Sequence, residues 1–180
     1  MQKENINKGV FISYKICKLI HNMRINIIIP AYNEEENIGK TLHSLINQTF
    51  PIHKIIIVND NSTDGTREQI LKFCKKNKNV SYIFRPRKMG IGSAHKDGLK
   101  YAYKKKYKII LTMDADGTHD PKYIKYLLKF SKDFDLISTN RFIKKNSLIE
   151  WPIQRRFLTK VRYYLINILL SMNHDSSGAF

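Results

Sequence analysis

The sequence predicts an α/β protein built on a mostly parallel sheet with helices on both faces. Three observations carry that expectation. Short β-branched runs alternate with amphipathic helical stretches along most of the 180 residues, with short connections between them. The runs are continuously apolar, as in Ile27-Ile28-Ile29 and Ile55-Ile56-Ile57-Val58, which suits strands covered on both faces. They end in polar turn-formers, and open α/β sheets bind ligands beyond the carboxyl ends of their strands.

Taken in order, the first strand covers 25–29 and Pro30 ends it. Asn33 can cap the next helix, with three glutamates from Glu34 in its first turn and Ile38, Leu42, Leu45 and Ile46 on one face. A second strand over 54–58 runs into Asn59-Asp60-Asn61-Ser62-Thr63-Asp64-Gly65-Thr66, all turn and capping chemistry. A helix with Ile70, Leu71, Phe73 and Cys74 leads to a third strand over 80–84. The basic loop Arg85-Pro86-Arg87-Lys88-Met89-Gly90-Ile91-Gly92 precedes a helix carrying Ala94, Leu99, Ala102 and Tyr103. The fourth strand begins at Ile109. Tyr123, Leu127, Leu128 and Phe130 suggest a short helix, and 136–138 a fifth strand.

Composition bounds the function less tightly. A chain of this length suits one domain and buries roughly 70% of its unfolded surface. The net charge of +17 points to anionic partners, whether nucleic acid, a phospholipid surface or phosphorylated substrates. Lysine runs such as Lys104-Lys105-Lys106 and Lys75-Lys76 are more simply read as solvated faces. No zinc-finger spacing or RNA-recognition signature supports nucleic acid as a partner. Cys17 and Cys74 form no metal or redox pair and read as free thiols in a reducing compartment. No apolar window is long enough to span a bilayer. The first 22 residues read as a mildly amphipathic extension, and Met23 is an alternative start.

The fourth strand ends in Asp114-Ala115-Asp116-Gly117-Thr118-His119-Asp120-Pro121. Alternation points both carboxylates to one side, where they repel. A hard divalent cation with oxygen ligands, shared with phosphates, relieves that repulsion. Taken alone, an acidic turn without function is an equally good reading.

The stretch 151–170 is helical in pattern. Ile153, Phe157, Val161, Tyr164, Leu165, Ile168 and Leu169 share a face, and Arg155, Arg156, Lys160 and Arg162 sit off it. A basic amphipathic helix with Trp151, Tyr163 and Tyr164 suits a membrane interface. A helix packed on its own sheet with its cations in water fits the pattern as well.

Three stretches, in order and spacing, resemble the signatures of the family 2 glycosyltransferases, inverting enzymes of the GT-A fold. They are Ile29-Pro30-Ala31-Tyr32-Asn33-Glu34-Glu35, the segment from Val58 to Thr66, and Asp114-Ala115-Asp116. Further stretches are similar to the dolichyl-phosphate mannosyltransferase branch: the Arg85–Ala94 loop, Gly98-Leu99-Lys100-Tyr101-Ala102, Ser138-Thr139-Asn140-Arg141-Phe142, Arg155-Arg156 and Asp175-Ser176-Ser177-Gly178-Ala179-Phe180. The resemblance covers 23–180, leaving 1–22 as an extension. It implies a GT-A domain that stops where relatives continue, so the expected domain is incomplete at its C-terminus.

The resemblance also implies roles. Pro30, Tyr32, Glu34 and Val58 would line the nucleotide pocket, and Asp60 would hydrogen-bond the base. Asp114 and Ala115 would sit by the ribose and diphosphate. Asp116, with Asp114 and Thr118, would hold Mg²⁺ or Mn²⁺; Thr118 falls where relatives carry Gln or Ser. Arg141 and Arg155 would grip donor and acceptor phosphates, completing a catalytic set with Asp114 and Asp116. Asn59 stands where an Asp is common. The implied reaction moves a hexose, with GDP-mannose the favoured donor, to a polyprenyl or dolichyl phosphate on the cytoplasmic face of a membrane. A phosphate acceptor needs no general base, and His95 and His119 read as loop or surface residues. Alternatives are another acceptor, such as a cell-surface polysaccharide, or UDP-glucose with undecaprenyl phosphate. A remoter one is a haloacid dehalogenase-type phosphatase, which Asp114-Ala115-Asp116-Gly117-Thr118 also resembles.

Overall fold

The computed structural model describes residues 24–139 and 151–170. The extension 1–22, the alternative start at Met23 and Cys17 lie outside them. The chain divides into two units, Met1–Asp135 and Leu136–Phe180, taken here one at a time.

The first unit is a four-stranded parallel sheet in the order β3-β2-β1-β4. Its elements are β1 (Ile25–Ala31), α1 (Ile38–Ile46), β2 (Ile52–Asn59), α2 (Thr66–Lys76), β3 (Val80–Phe84), α3 (Ile91–Lys104) and β4 (Ile109–Thr112). A 3₁₀ turn (Pro121–Tyr123) and α4 (Ile124–Leu128) follow. The strands step one way from β1 to β3, and α3 then carries the chain back to the other side of β1. With right-handed crossovers this puts α1 and α2 on one face and α3 on the other.

Side chains sort by period two. Ile28 of β1 and Ile56 and Val58 of β2 pack against Ala94 and Ala102 of α3. Ile27, Ile29, Ile55 and Ile57 therefore point to the α1–α2 face, and all are fully buried. The face of α3 that meets the sheet is a small-residue stripe, Ala94, Gly98 and Ala102. Leu99 and Tyr103, the larger apolar residues of the same helix, are exposed. Small residues win because α3 lies very close: a Cβ on Gly98 would stand 2.4 Å from Ile28 Cγ2.

Other boundaries also differ from expectation. β1 continues through Pro30 to Ala31. Pro30 is tolerated in this central strand because its two neighbours reach different distances. β2 pairs with β1 as far as Ala31, but β4 only as far as Ile28. Met113 N donates to Ile28 O at 3.1 Å and Asp60 N to Ala31 O at 2.8 Å. By alternation the Pro30 backbone faces β4, which has already ended, so its missing N–H removes no ladder bond. Asn33 does not cap α1. That helix starts at Ile38 with no acidic residue in its first turn, and Asn33 is spent on another loop. Residues 136–138 form no strand.

In the second unit, α5 spans Ile153–Leu170. Phe157, Leu158, Tyr164, Leu165, Ile168 and Leu169 are exposed on it. Among the described residues no helix is long and apolar enough to cross a membrane.

Gly98→Ala should lower stability by about 1–3 kcal/mol through overpacking, read from the denaturant midpoint. A methyl on Gly92 meets nothing within 4 Å, so Gly92→Ala should be neutral or stabilising by up to about 1 kcal/mol.

Candidate active site

The point where strand order reverses, between β1 and β4, is where an open α/β sheet offers a crevice. Residues leave it on predictable sides. Asp60 follows Ile56 and Val58 by two and faces α3. Asp114 follows Ile110 and Thr112 by two and faces α3 as well. Beyond β4 the pattern persists: Met113 and Ala115 are buried, whereas Asp114 is half-buried and Asp116 exposed. The two carboxylates thus leave on the same side as Pro30 and Asp60. Two grooves along α1 and α2, of about 560 and 680 Å³, meet at Phe73 and include none of these residues.

The loops after β1 and β2 are laced together by polar groups. Asn33, with φ of 55°, donates its N–H to Ser62 Oγ at 3.0 Å, and its Oδ1 accepts from Thr63 N at 2.9 Å. Glu34 N donates to Thr66 Oγ1 at 2.8 Å, and Glu35 N to Asp64 Oδ2 at 3.1 Å. Gly65 N returns a bond to Glu35 Oε2 at 2.9 Å. Glu34, expected in the nucleotide pocket, gives its carboxylate to Asn37 Nδ2 at 3.1 Å. Burial pushes the Asp64 carboxyl up, but hydrogen bonds from Thr66 and Glu35 outweigh it and hold the group below the usual carboxylate range.

Among the described residues Asp60 is the most deeply buried of the expected charged site residues, with a side chain 3% exposed. Its Oδ1 accepts from Arg85 Nη1 at 2.8 Å and Met89 N at 2.9 Å, and its Oδ2 from Gly90 N at 2.8 Å. The carboxylate sits at the start of α3, where it satisfies amides and complements the helix dipole. Arg85 also pairs through Nε with Asp97 at 3.1 Å and donates to Ser93 Oγ. In this conformation the carboxylate clamps the loop from Arg85 to Gly90. The sequence flagged that loop but not the pairing of Arg85 with Asp60 and Asp97, because the partners lie 25 and 12 residues away. At the crevice mouth Lys88 Nζ lies 3.7 Å from the centre of the Tyr32 ring.

The Asp114–Asp120 turn has its own supports. Ala115 O accepts from Thr41 Oγ1 of α1 at 2.9 Å, in a buried bond. Asp116 Oδ1 accepts from Thr118 N at 2.9 Å and Thr118 Oγ1 at 2.7 Å. Thr118 thus orients Asp116. His119, expected to be a loop or surface residue, is only 14% exposed in its side chain, and its Nδ1 accepts from Asp114 N at 2.9 Å. His95, read the same way, is half-buried on α3. Burial depresses its imidazole pKa, while Asp114 pulls it up.

Val58 and Ala115 bury their side chains in the core, so only their backbones can face a ligand. Arg141 and the terminal 175–180 motif lie outside the described residues. Arg155 stands on α5 with its guanidinium 3.9 Å over the Trp151 ring. Among the described residues no three His, Cys, Asp or Glu side chains converge on one point.

These features define a parallel α/β crevice at a topological switch point with an acidic strand end. The family model for glycosyl transferase family 2 matches residues 26–179, and the chain belongs to that family. It is similar to undecaprenyl-phosphate mannosyltransferase of Micrococcus luteus, with 30% identity over 151 residues, 84% of this chain and 62% of that one. It is also similar to polyprenol monophosphomannose synthase of Mycolicibacterium smegmatis, with 29% identity over 160 residues, 87% and 60% of the two chains. The chain thus spans about 60% of the length of these curated relatives. Residues 1–349 of TarS from S. aureus superpose with a TM-score of 0.52 and 28% identity, covering 62% of this chain and 33% of that one. The same protein in complex with UDP-GlcNAc superposes with a TM-score of 0.52. The fold is GT-A-like, and family membership removes the phosphatase alternative.

Arg85→Met leaves Asp60 buried without its cation and should lower stability by about 3–5 kcal/mol. A double-mutant cycle with Asp60→Ala should show coupling above about 1 kcal/mol. Asp64 acts on pH dependence. A depressed folded pKa gives stability that is present above the ordinary carboxylate range and lost as pH falls through the folded value. Asp64→Asn should therefore flatten the acid limb of the stability profile measured by urea unfolding.

Proposed function

We propose that this protein transfers a hexose, with inversion, from a nucleotide diphosphate sugar to a polyprenyl phosphate at a membrane surface. The observation that carries this is the exit of Asp114 and Asp116 on one side of the switch crevice, with Thr118 orienting Asp116. GDP-mannose is the favoured donor because both mannosyl-transferring relatives match over most of the chain.

The residues fit a Mg²⁺ or Mn²⁺ ion. Asp116 is held through Oδ1, and Asp114 leaves on the same side; one or two carboxylates plus substrate phosphates are the usual complement for such ions. When bound, the ion would supply charge stabilisation to the departing nucleoside diphosphate. Through such an ion the two carboxylates would hold the donor's diphosphate in the crevice, and the basic loop at Arg87 and Lys88 lies on the β1–β2 side of it. The acceptor phosphate is anionic near neutral pH. One of its oxygens attacks the anomeric carbon as the bond to the diphosphate breaks, and the leaving group takes the electron pair. The protein's task is positioning rather than proton abstraction.

The lipid substrate would be met by α5. Its exposed apolar face and flanking Arg155, Arg156, Lys160 and Arg162 suit the anionic cytoplasmic leaflet.

Asp116→Ala should abolish metal-dependent transfer from GDP-mannose to a short polyprenyl phosphate while the circular dichroism spectrum and melting temperature persist. Unchanged transfer would remove Asp116 from the metal site. A thermal-shift panel of GDP- and UDP-sugars, with and without Mn²⁺, identifies the base; stabilisation by UDP-sugars alone would overturn GDP-mannose as donor.

A further inference from the structure

We propose that His119 is a positioning residue for the acidic pair: by accepting the Asp114 amide proton it sets the direction in which both carboxylates leave the end of β4. The proposal rests on the glycosyltransferase reading above and adds to it a residue that carries no role in the sequence signatures.

Asp114 is the second residue past the end of β4, and Met113 makes the last ladder bond to β1. The Asp114 N–H therefore needs a partner from outside the sheet, and His119 supplies it. The bond closes residues 114–119 into a ring, with Gly117 at φ 78° making the reversal. Inside that ring Asp116 is held by Thr118, and Ala115 is held from outside by Thr41 of α1. Three consecutive residues thus have three separate restraints. Those on Ala115 and Asp116 fix one carbonyl and one carboxylate. The His119 bond fixes the peptide plane from which Asp114 departs, and an error there rotates everything after it.

The same bond defines the ring's chemistry. A nitrogen that accepts an amide proton carries none of its own, so the neutral imidazole holds its proton on Nε2. Nδ1 is then occupied by backbone and is not available as a base. It lies 3.9 Å from Asp114 Oδ2, beyond a hydrogen bond. Positioning is what remains for it on that side. The low exposure of the side chain keeps water from replacing it.

Two substitutions separate the ring's nitrogens. His119→Asn puts a carbonyl oxygen where Nδ1 stood and can still accept the Asp114 N–H. His119→Gln puts its amide where Nε2 stood and cannot. Hydrogen exchange at the Asp114 amide, followed by NMR, reads the bond with no substrate present. Steady-state kinetics with GDP-mannose and polyprenyl phosphate read its consequence. In the wild type and His119→Asn the amide should exchange slowly, and kcat should agree within about threefold. In His119→Gln, folded by circular dichroism, the amide should lose protection and kcat should fall about 10–100-fold with the acceptor KM unchanged. Two results overturn the proposal: a fast-exchanging Asp114 amide in the wild type, or equal kcat in the two variants. If the exchange pattern holds but the wild type transfers no sugar, the bond is upheld and the glycosyltransferase reading fails.

Discussion

Everything at the functional end of the sheet depends on the unequal reach of the two strands that flank β1. β2 follows it to Ala31, while β4 stops opposite Ile28. The ladder therefore splits open rather than ending level. That split admits a proline into a central strand and opens the crevice beside which Asp114 and Asp116 leave β4. Just past the strand the Asp114 N–H, on the side away from β1, finds His119, and the Ala115 carbonyl finds Thr41 of α1.

The loops around the opening are held by two kinds of force. Those after β1 and β2 share many neutral and charge-assisted hydrogen bonds, each modest and partly open to water. The loop after β3 is held chiefly by the buried Asp60–Arg85 ion pair, with the Met89 and Gly90 amides on the same carboxylate. Such a pair adds little net stability over apolar packing, but removing either partner strands a charge. Its effect here is placement: Asp60 is fixed to Arg85, and Arg85 to Asp97 of α3, so the loop is tied to the helix that follows it. The tip, from Pro86 to Gly90, stays exposed above that anchor. Substitution is therefore easiest to accommodate at Arg87, Lys88 and Met89.

Much of the architecture was legible in the sequence because it rests on local pattern. Continuous isoleucine runs announced buried strands, and β3 falls where expected. The turn chemistry from Asn59 to Thr66 and the Asp-x-Asp were visible as motifs. What was not legible depends on distance in sequence. Nothing local says that Asn33 will bond Thr63 rather than cap a helix, or that Asp60 will pair with Arg85. Hydrophobicity alone does not separate Ala94 and Ala102, which meet the sheet, from Leu99 and Tyr103, which do not. The glycine that lets the helix approach was the better signal. His119 was passed over because a histidine five residues past an aspartate has no signature of its own.

The proline in β1 has one more consequence. Its carbonyl points toward the gap left by β4, and no N–H accompanies it. The floor of the crevice at that point is thus single-signed: it can receive a proton but offers none. At that step the main chain is an acceptor edge alone, a polarity written by the choice of one imino acid rather than by any side chain.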